Sequence, residues 1–278
     1  MEKRFRISLL LLMLLPMLLT GSVIAEDTGI TLKQAVQVAW TINSQSTGTT
    51  PGEGTNIVDV AQANTVALNV AEVVIDLDFA RIKYQYLAEQ QKNLKLEAEK
   101  ADIDFKMGKI DAKVRDGLKQ KVIQNDFDLN FYKMQIDNGE KGFQRLTGTP
   151  ISANFNYQDS YLIADAGKLS LPPSATQDKD LKALEKQLND VITAFSNLGA
   201  LVTAYIDAGE KLTETENDFK TGKVANNELE AAEVDKERAR IEALEGKAQY
   251  SKLLYEMDCN LQGHISRDVK KLSDPIFQ

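Results

Sequence analysis

The chain has almost none of the residues that catalysis and cross-linking draw on. It holds one cysteine, Cys259, and one histidine, His264, in 278 residues. A single cysteine excludes an internal disulfide, so the fold is held by packing. A single histidine excludes a His-based metal cluster or a histidine pair. Cys259 and His264 stand five positions apart, and a nucleophile–base pair would need them in contact. A small buried cysteine and a solvated terminal histidine account for them better. Basic charge is also short, with 33 Lys and Arg against 41 Asp and Glu. Nucleic acid needs a basic surface, so it is not expected as a partner. No glycine-rich phosphate loop follows a strand. Carboxylates are plentiful, as at Glu228, Glu230 and Glu233, but their spacing suits a solvated helix face. Trp40, the one tryptophan, falls at the end of the leading helix, where packing explains it. An enzyme therefore ranks last among the functions, and neither metal nor cofactor is expected.

Residues 1–25 read as a secretory signal. Lys3, Arg4 and Arg6 precede an apolar run from Leu9 to Leu19, and Val23-Ile24-Ala25 offers a cleavage site after Ala25. The run is shorter than the roughly 20 residues of a spanning helix, and no other run is read as approaching that length. Loss of this segment removes three basic residues and Glu2, leaving 30 basic against 40 acidic residues.

What the chain has in abundance is heptad periodicity. Thr31 and Gln34 have capping-box spacing, which predicts a short helix to about Asn43. Residues 43–56, rich in Gly, Ser, Thr and Pro, predict a loop. Val66, Val70, Val73, Leu77, Ala80, Tyr84, Leu87, Gln91, Leu94, Ala98, Ala101 and Phe105 then alternate by four and three. Leu68, Ile75, Phe79, Ile82 and Tyr86 add a second seam, and a helix apolar on two sides has neighbours on two sides. A second rod carries Leu118, Val122, Asn125, Leu129, Tyr132, Ile136, Gly139, Phe143 and Leu146, ending at Gly148-Thr149-Pro150. Residues 149–177 read as an irregular linker closed by Pro172-Pro173. A third rod follows with Leu181, Leu184, Leu188, Val191, Phe195, Leu198, Val202, Tyr205, Leu212 and Phe219. A fourth runs from about Asn226 to Leu261.

One phrase marks both reversals. Residues 104–110 read DFKMGKI and residues 218–224 read DFKTGKV. Phe105 and Phe219 occupy the same seam position, and Gly108 and Gly222 supply the left-handed residue that ends a helix. The expected fold is all-α: two long antiparallel coiled-coil hairpins in tandem. They form either a plain four-helix bundle or the half-units of something larger. The expected segments are a signal (1–25), a leading helix, loop and first hairpin (26–148), a linker (149–177), a second hairpin (178–263) and a tail (264–278). Lys106, Lys109, Lys220 and Lys223 could grip an acidic partner. The plainer role, favoured here, is to complement the C-terminal dipoles of the two rods.

The duplicated hairpin, its Phe-Lys-x-Gly-Lys-[Ile/Val] tip and the leading ITLKQAVQVAW resemble the TolC family of outer-membrane efflux ducts over most of residues 30–263. The resemblance implies a homotrimer whose twelve helices form a hollow cylinder joined to a twelve-stranded membrane barrel. It implies tips that meet a periplasmic adaptor coupled to an inner-membrane pump, and no chemistry in the duct. The family's tip groove maps onto Met107-Gly108-Lys109-Ile110 and Thr221-Gly222-Lys223-Val224. Lys109 and Lys223 stand where the family often has leucine. A larger departure lies in the strands. Residues 43–56 are too short for two membrane strands of about 9–11 residues each, and residues 178–221 read as one rod. The barrel is expected to be missing, and the mature protein to be helical and soluble without detergent. The functions in order are a reduced efflux-duct component, an exported helical scaffold that kept the fold without transport, and an exported enzyme.

Overall fold

The computed structural model describes residues 31–47, 57–157, 160–164, 166, 169, 171 and 181–261. The expected signal and tail lie outside the described residues, as do residues 48–56 of the expected loop and much of the end of the linker. Five helices account for nearly all that is described: α1 (Leu32–Thr47), α2 (Ile57–Lys106), α3 (Ala112–Thr147), α4 (Leu181–Lys220) and α5 (Asn226–Asn260). There is no strand among the described residues. The fold is all-α, as the heptads require.

Helix α1 opens with the expected box. The Thr31 N–H donates to Gln34 Oε1 at 2.8 Å, and the Gln34 N–H donates to Thr31 Oγ1 at 3.4 Å. It runs past Asn43 to Thr47. The polar stretch that suggested a stop keeps its hydroxyls on the helix itself: Thr41 Oγ1 donates to Gln37 O at 2.9 Å and Ser44 Oγ to Thr41 O at 3.0 Å.

α2 and α3 pair along the long seam. Val70, Leu77, Ala80, Leu87, Ala98 and Ala101 of α2 are buried, as is Phe143 of α3. One layer of this seam is polar. Asn125 Nδ2 donates to Gln91 Oε1 at 2.8 Å and to Leu87 O at 2.9 Å, while Gln91 Nε2 donates to Asp126 Oδ1. Asn125 and Gln91 are each 5% exposed, so a slip of register would strand both amides in the core. α4 and α5 pair in the same way. A Cβ at Gly246 would fall 2.7 Å from Leu201 Cδ1, which shows how closely these two helices approach.

Among the described residues, the two hairpins meet chiefly through α2 and α5. Here the second seam of α2 finds its partner: Ile75, fully buried, packs with Ala248 and Tyr161, with Phe79 and Tyr255 beside them. Lys252 Nζ reaches Asp76 Oδ1 at 2.7 Å. α3 and α4 make no substantial contact with each other, so the lateral order is α3–α2–α5–α4. The molecule is an open wall of four helices, not a closed bundle. α4 differs from its sequence reading in one respect. It contains a window long and apolar enough to cross a membrane by length and composition, and little of that window is buried.

The linker crosses one face of this wall as a strap. Phe155 enters the core shared by α1, α2 and α3, edge-on to Phe143 at 5.8 Å between ring centroids. Tyr161 OH donates to Asp78 Oδ2 at 2.8 Å. Leu162, Ala164 and Ala166 close the core of α4 and α5, where the Leu162 N–H donates to Ser251 Oγ at 2.7 Å. The strap thus covers the second hairpin where α1 covers the first. Burial pushes the Asp78 carboxyl up from the ordinary carboxylate range, against the Tyr161 hydroxyl and the Lys247 and Arg81 charges that pull it down.

Two outcomes follow. Asn125→Ala leaves the buried Gln91 carbonyl without its donor and should cost about 1–3 kcal/mol, lowering the urea midpoint without changing the slope. Asp78 binds its proton more tightly folded than unfolded. Its contribution is therefore complete below the ordinary carboxylate range and is lost as pH rises through the raised value. The stability of Asp78→Asn relative to the parent should then climb with pH across that interval, as read by thermal melts from acid to neutral pH.

Candidate functional site: the hairpin tips and wall edges

The two tips are built alike down to the hydrogen bonds. In the first, the Gly108 N–H donates to Phe105 O at 2.9 Å and the Lys109 N–H to Asp104 O at 2.8 Å. In the second, Gly222 N–H donates to Phe219 O and Lys223 N–H to Asp218 O, both at 2.9 Å. This pair of bonds is the Schellman motif. Gly108 and Gly222 take φ of 70° and 73°. A Cβ added at either would meet nothing within 4 Å. The glycine therefore answers to backbone conformation alone.

The invariant first and last charges of the phrase find each other. Lys109 Nζ lies 3.4 Å from Asp104 Oδ1, and Lys223 Nζ lies 2.7 Å from Asp218 Oδ1. Both lysines stay mostly exposed, so each pair contributes little energy. They close their own turns while their outer faces remain free to solvent. Met107 is exposed, as are Thr221 and both glycines, while Ile110 and Val224 are half-buried at the start of the returning chain.

The tips differ in what covers the aromatic ring. Over Phe105 sits the Arg115 guanidinium, 4.1 Å from the ring centroid, with Lys119 pairing to Asp102 at 2.8 Å alongside. That second contact holds the Asp102 carboxyl below its usual range. At the equivalent place in the second tip stands Leu229, and Phe219 is 40% exposed. The N-caps differ too. Asp111 Oδ1 accepts from the Val114 N–H at 2.9 Å. Ala225 has no acceptor of its own, and Glu228 Oε1 reaches back to its N–H at 3.4 Å. The structure thus sets the ten sequence-selected residues at two separate tips, Phe105 to Ile110 and Phe219 to Val224.

The sequence reading passed over the outer edges of the wall. On α3, Ile123, Phe127 and Met134 are 52–66% exposed, whereas the half-exposed Phe131 lines the groove between the hairpins with Arg238 and Ile241 of α5. Ile123 and Phe127 flank the buried Asn125 by two residues each, which at 100° per residue turns them away from α2. The signal was available: these positions repeat by four and seven beside the main seam, as residues of the second seam of α2 do. The exposed side of α4 is mixed, with the small residues Ser196, Gly199 and Thr203 lying between Ile192 and Ile206, which are 41% and 46% exposed. The chemistry of both tips and edges is that of surfaces for packing. No group of three or more metal-ligating side chains occurs among the described residues.

Neither a scan against family models nor a search of curated proteins matched the chain. Solved structures do match in shape. One is CusC, studied for its folding and transmembrane channel formation, at a TM-score of 0.54 and 11% identity, covering 84% of this chain and 92% of that one. Another is the Campylobacter jejuni outer membrane channel CmeC, at 0.51 and 12% identity, covering 78% of this chain. The match spans 65% of CmeC, just under two thirds of its length. Both are TolC-family channels, and the likeness expected from the repeated hairpins holds for the fold.

Gly108→Ala and Gly222→Ala should each cost of the order of 1 kcal/mol, the strain of an L-residue at positive φ. The two losses should be nearly equal, because neither site adds a clash. Chemical denaturation of each variant reads the cost, and helix content should stay unchanged.

Proposed function

We propose that the chain is the protomer of a TolC-like efflux duct, a non-enzymatic part of an export assembly in the cell envelope. In this reading three copies close a helical cylinder through which cargo passes. The observation that carries it is the mismatch between the wall's two free edges. α3 presents a ridge of large apolar side chains, and α4 presents a dip of small residues, Ser196 to Thr203, flanked by Ile192 and Ile206. A ridge that does not complement itself but fits the opposite edge favours head-to-tail contacts, and such contacts make rings when the rotation closes. The resemblance of the repeated hairpins to the TolC family implies three as the number. α1 and the strap cover one face and become the outside, leaving the opposite face to line the bore. The tips, with Lys109 and Lys223, are where a periplasmic adaptor linked to an inner-membrane pump would dock.

A second reading, an exported helical scaffold without transport, draws on the absence of strands among the described residues. Assembly separates the two. Light scattering on the purified mature chain should give a trimer. Ile123→Asp with Phe127→Asp should yield monomer, with helix content unchanged, because four-residue spacing places both charges on the ridge. A parent that stays monomeric over a wide concentration range would move the function to the scaffold.

A further inference from the structure

A groove runs along the face of the second hairpin that the strap leaves open. Ser251 and Tyr255 of α5 bond to the strap. Asn260 stands nine positions after Ser251, half a turn round the helix at about 100° per residue, and so faces the other way. On that side α4 and α5 enclose two adjoining clefts of about 490 and 680 Å³, which share Asp190 and Leu253. Asn260 and Gln187 mark the end away from the tips, with a side-chain hydrogen bond at 2.9 Å. The clefts continue to Gly246 and Leu201, about 21 Å along α5 from Asn260. The lining is apolar at Ala194, Leu201 and Leu253, and its charges are Asp190 and Glu256 against one base, Lys186.

α5 delivers the chain to the mouth of this groove. Leu261 follows Asn260, and residues 262–278 come next. Gly263 offers a point of reversal. Beyond it Ile265, Val269 and Leu272 repeat by four and three, one apolar stripe of a helix, and Pro275 marks the end of the period. From His264 to Asp274 such a helix is about 16 Å long, within the length of the groove. Laid back along α5, it sets Val269 and Leu272 about 8 and 12 Å down. Leu253 and Ala194 lie between those levels, about 10 Å from Asn260 and Gln187. Lys270 and Lys271 stand to either side of the stripe, within side-chain reach of Asp190 and Glu256 about 5 and 6 Å down. The segment carries three bases, Arg267, Lys270 and Lys271, against Asp268 and Asp274, in a chain with more acid than base. Tethering at the mouth also favours it over any free occupant, because its effective concentration is high.

We infer that residues 264–274 fold back as a short helix into the groove between α4 and α5, opposite the strap, and cover it from within the same chain. In the ring of the proposed function this face lines the bore, and the seated segment narrows it. That consequence rests on the ring; the seating itself concerns one chain and holds without it.

The test uses Gln249→Cys, exposed in the groove, in a Cys259→Ser background of the full mature chain. Its alkylation by iodoacetamide is timed, with helix content checked in every variant. A segment seated about nine-tenths of the time should slow the reaction about tenfold relative to the same chain stopped after Gly263. Val269→Asp with Leu272→Asp should restore the fast rate, as should Lys270→Glu with Lys271→Glu. Adding Asp190→Lys and Glu256→Lys to the latter pair should slow it again. Glu99→Cys, exposed on α2, should react alike in every chain. Equal rates at Gln249→Cys in the full and shortened chains would overturn the inference. So would slowing that survives loss of the stripe, or a charge swap that leaves the rate fast. Slowing that fades on dilution would overturn it too, by giving the groove to a second copy.

Discussion

Everything in this structure depends on α2 being apolar along two lines. One line meets α3 through Leu77, Ala80 and Leu87; the other meets α5 through Ile75, with Phe79 beside it. α1 also packs on α2, so one helix touches three others. A helix with a single stripe would bury it in a hairpin and stop there. The second stripe makes the main helix–helix contact between the two hairpins, which the strap also bridges. It also places them side by side, because its direction differs from that of the first. The wall is the geometric result of two stripes on one rod.

The same arithmetic explains why the wall does not close on itself. For a four-helix bundle, α3 and α4 would each need a second stripe facing the other with matching side chains. α3 has such a stripe in Ile123, Phe127 and Met134, but it points away from the junction. α4 offers mainly serine, glycine and threonine between two isoleucines, Ile192 and Ile206, on its exposed side. The two edges are therefore left for contacts outside the chain. Within the seams, the Asn125–Gln91 layer gives up some apolar burial and in exchange fixes register, since any slip leaves two buried amides unpaired.

The tips show how a repeat can keep its backbone and change its surface. Asp104 with Lys109 and Asp218 with Lys223 close identical turns around identical glycines. What flanks them has diverged: Arg115 shields one phenylalanine, and Leu229 leaves the other open. A partner that met both tips would find a charged, covered surface on one and an apolar, uncovered surface on the other.

Local chemistry and period were legible in the sequence. The four rods, the Thr31–Gln34 box, the positive φ at Gly108 and Gly222 and the two-sided character of α2 all follow from spacing between residues near in the chain, because heptads, caps and Schellman turns are satisfied locally. Only the tertiary structure decided the lateral order α3–α2–α5–α4, since a stripe says that a helix has a neighbour and not which one. Only it revealed the strap, whose anchors are pairs such as Tyr161 with Asp78 and Leu162 with Ser251, far apart in sequence and of no periodic pattern. And only it separated the ridge on α3 from the core, because an exposed phenylalanine and a buried one look the same in a sequence until the partner helix has taken its side.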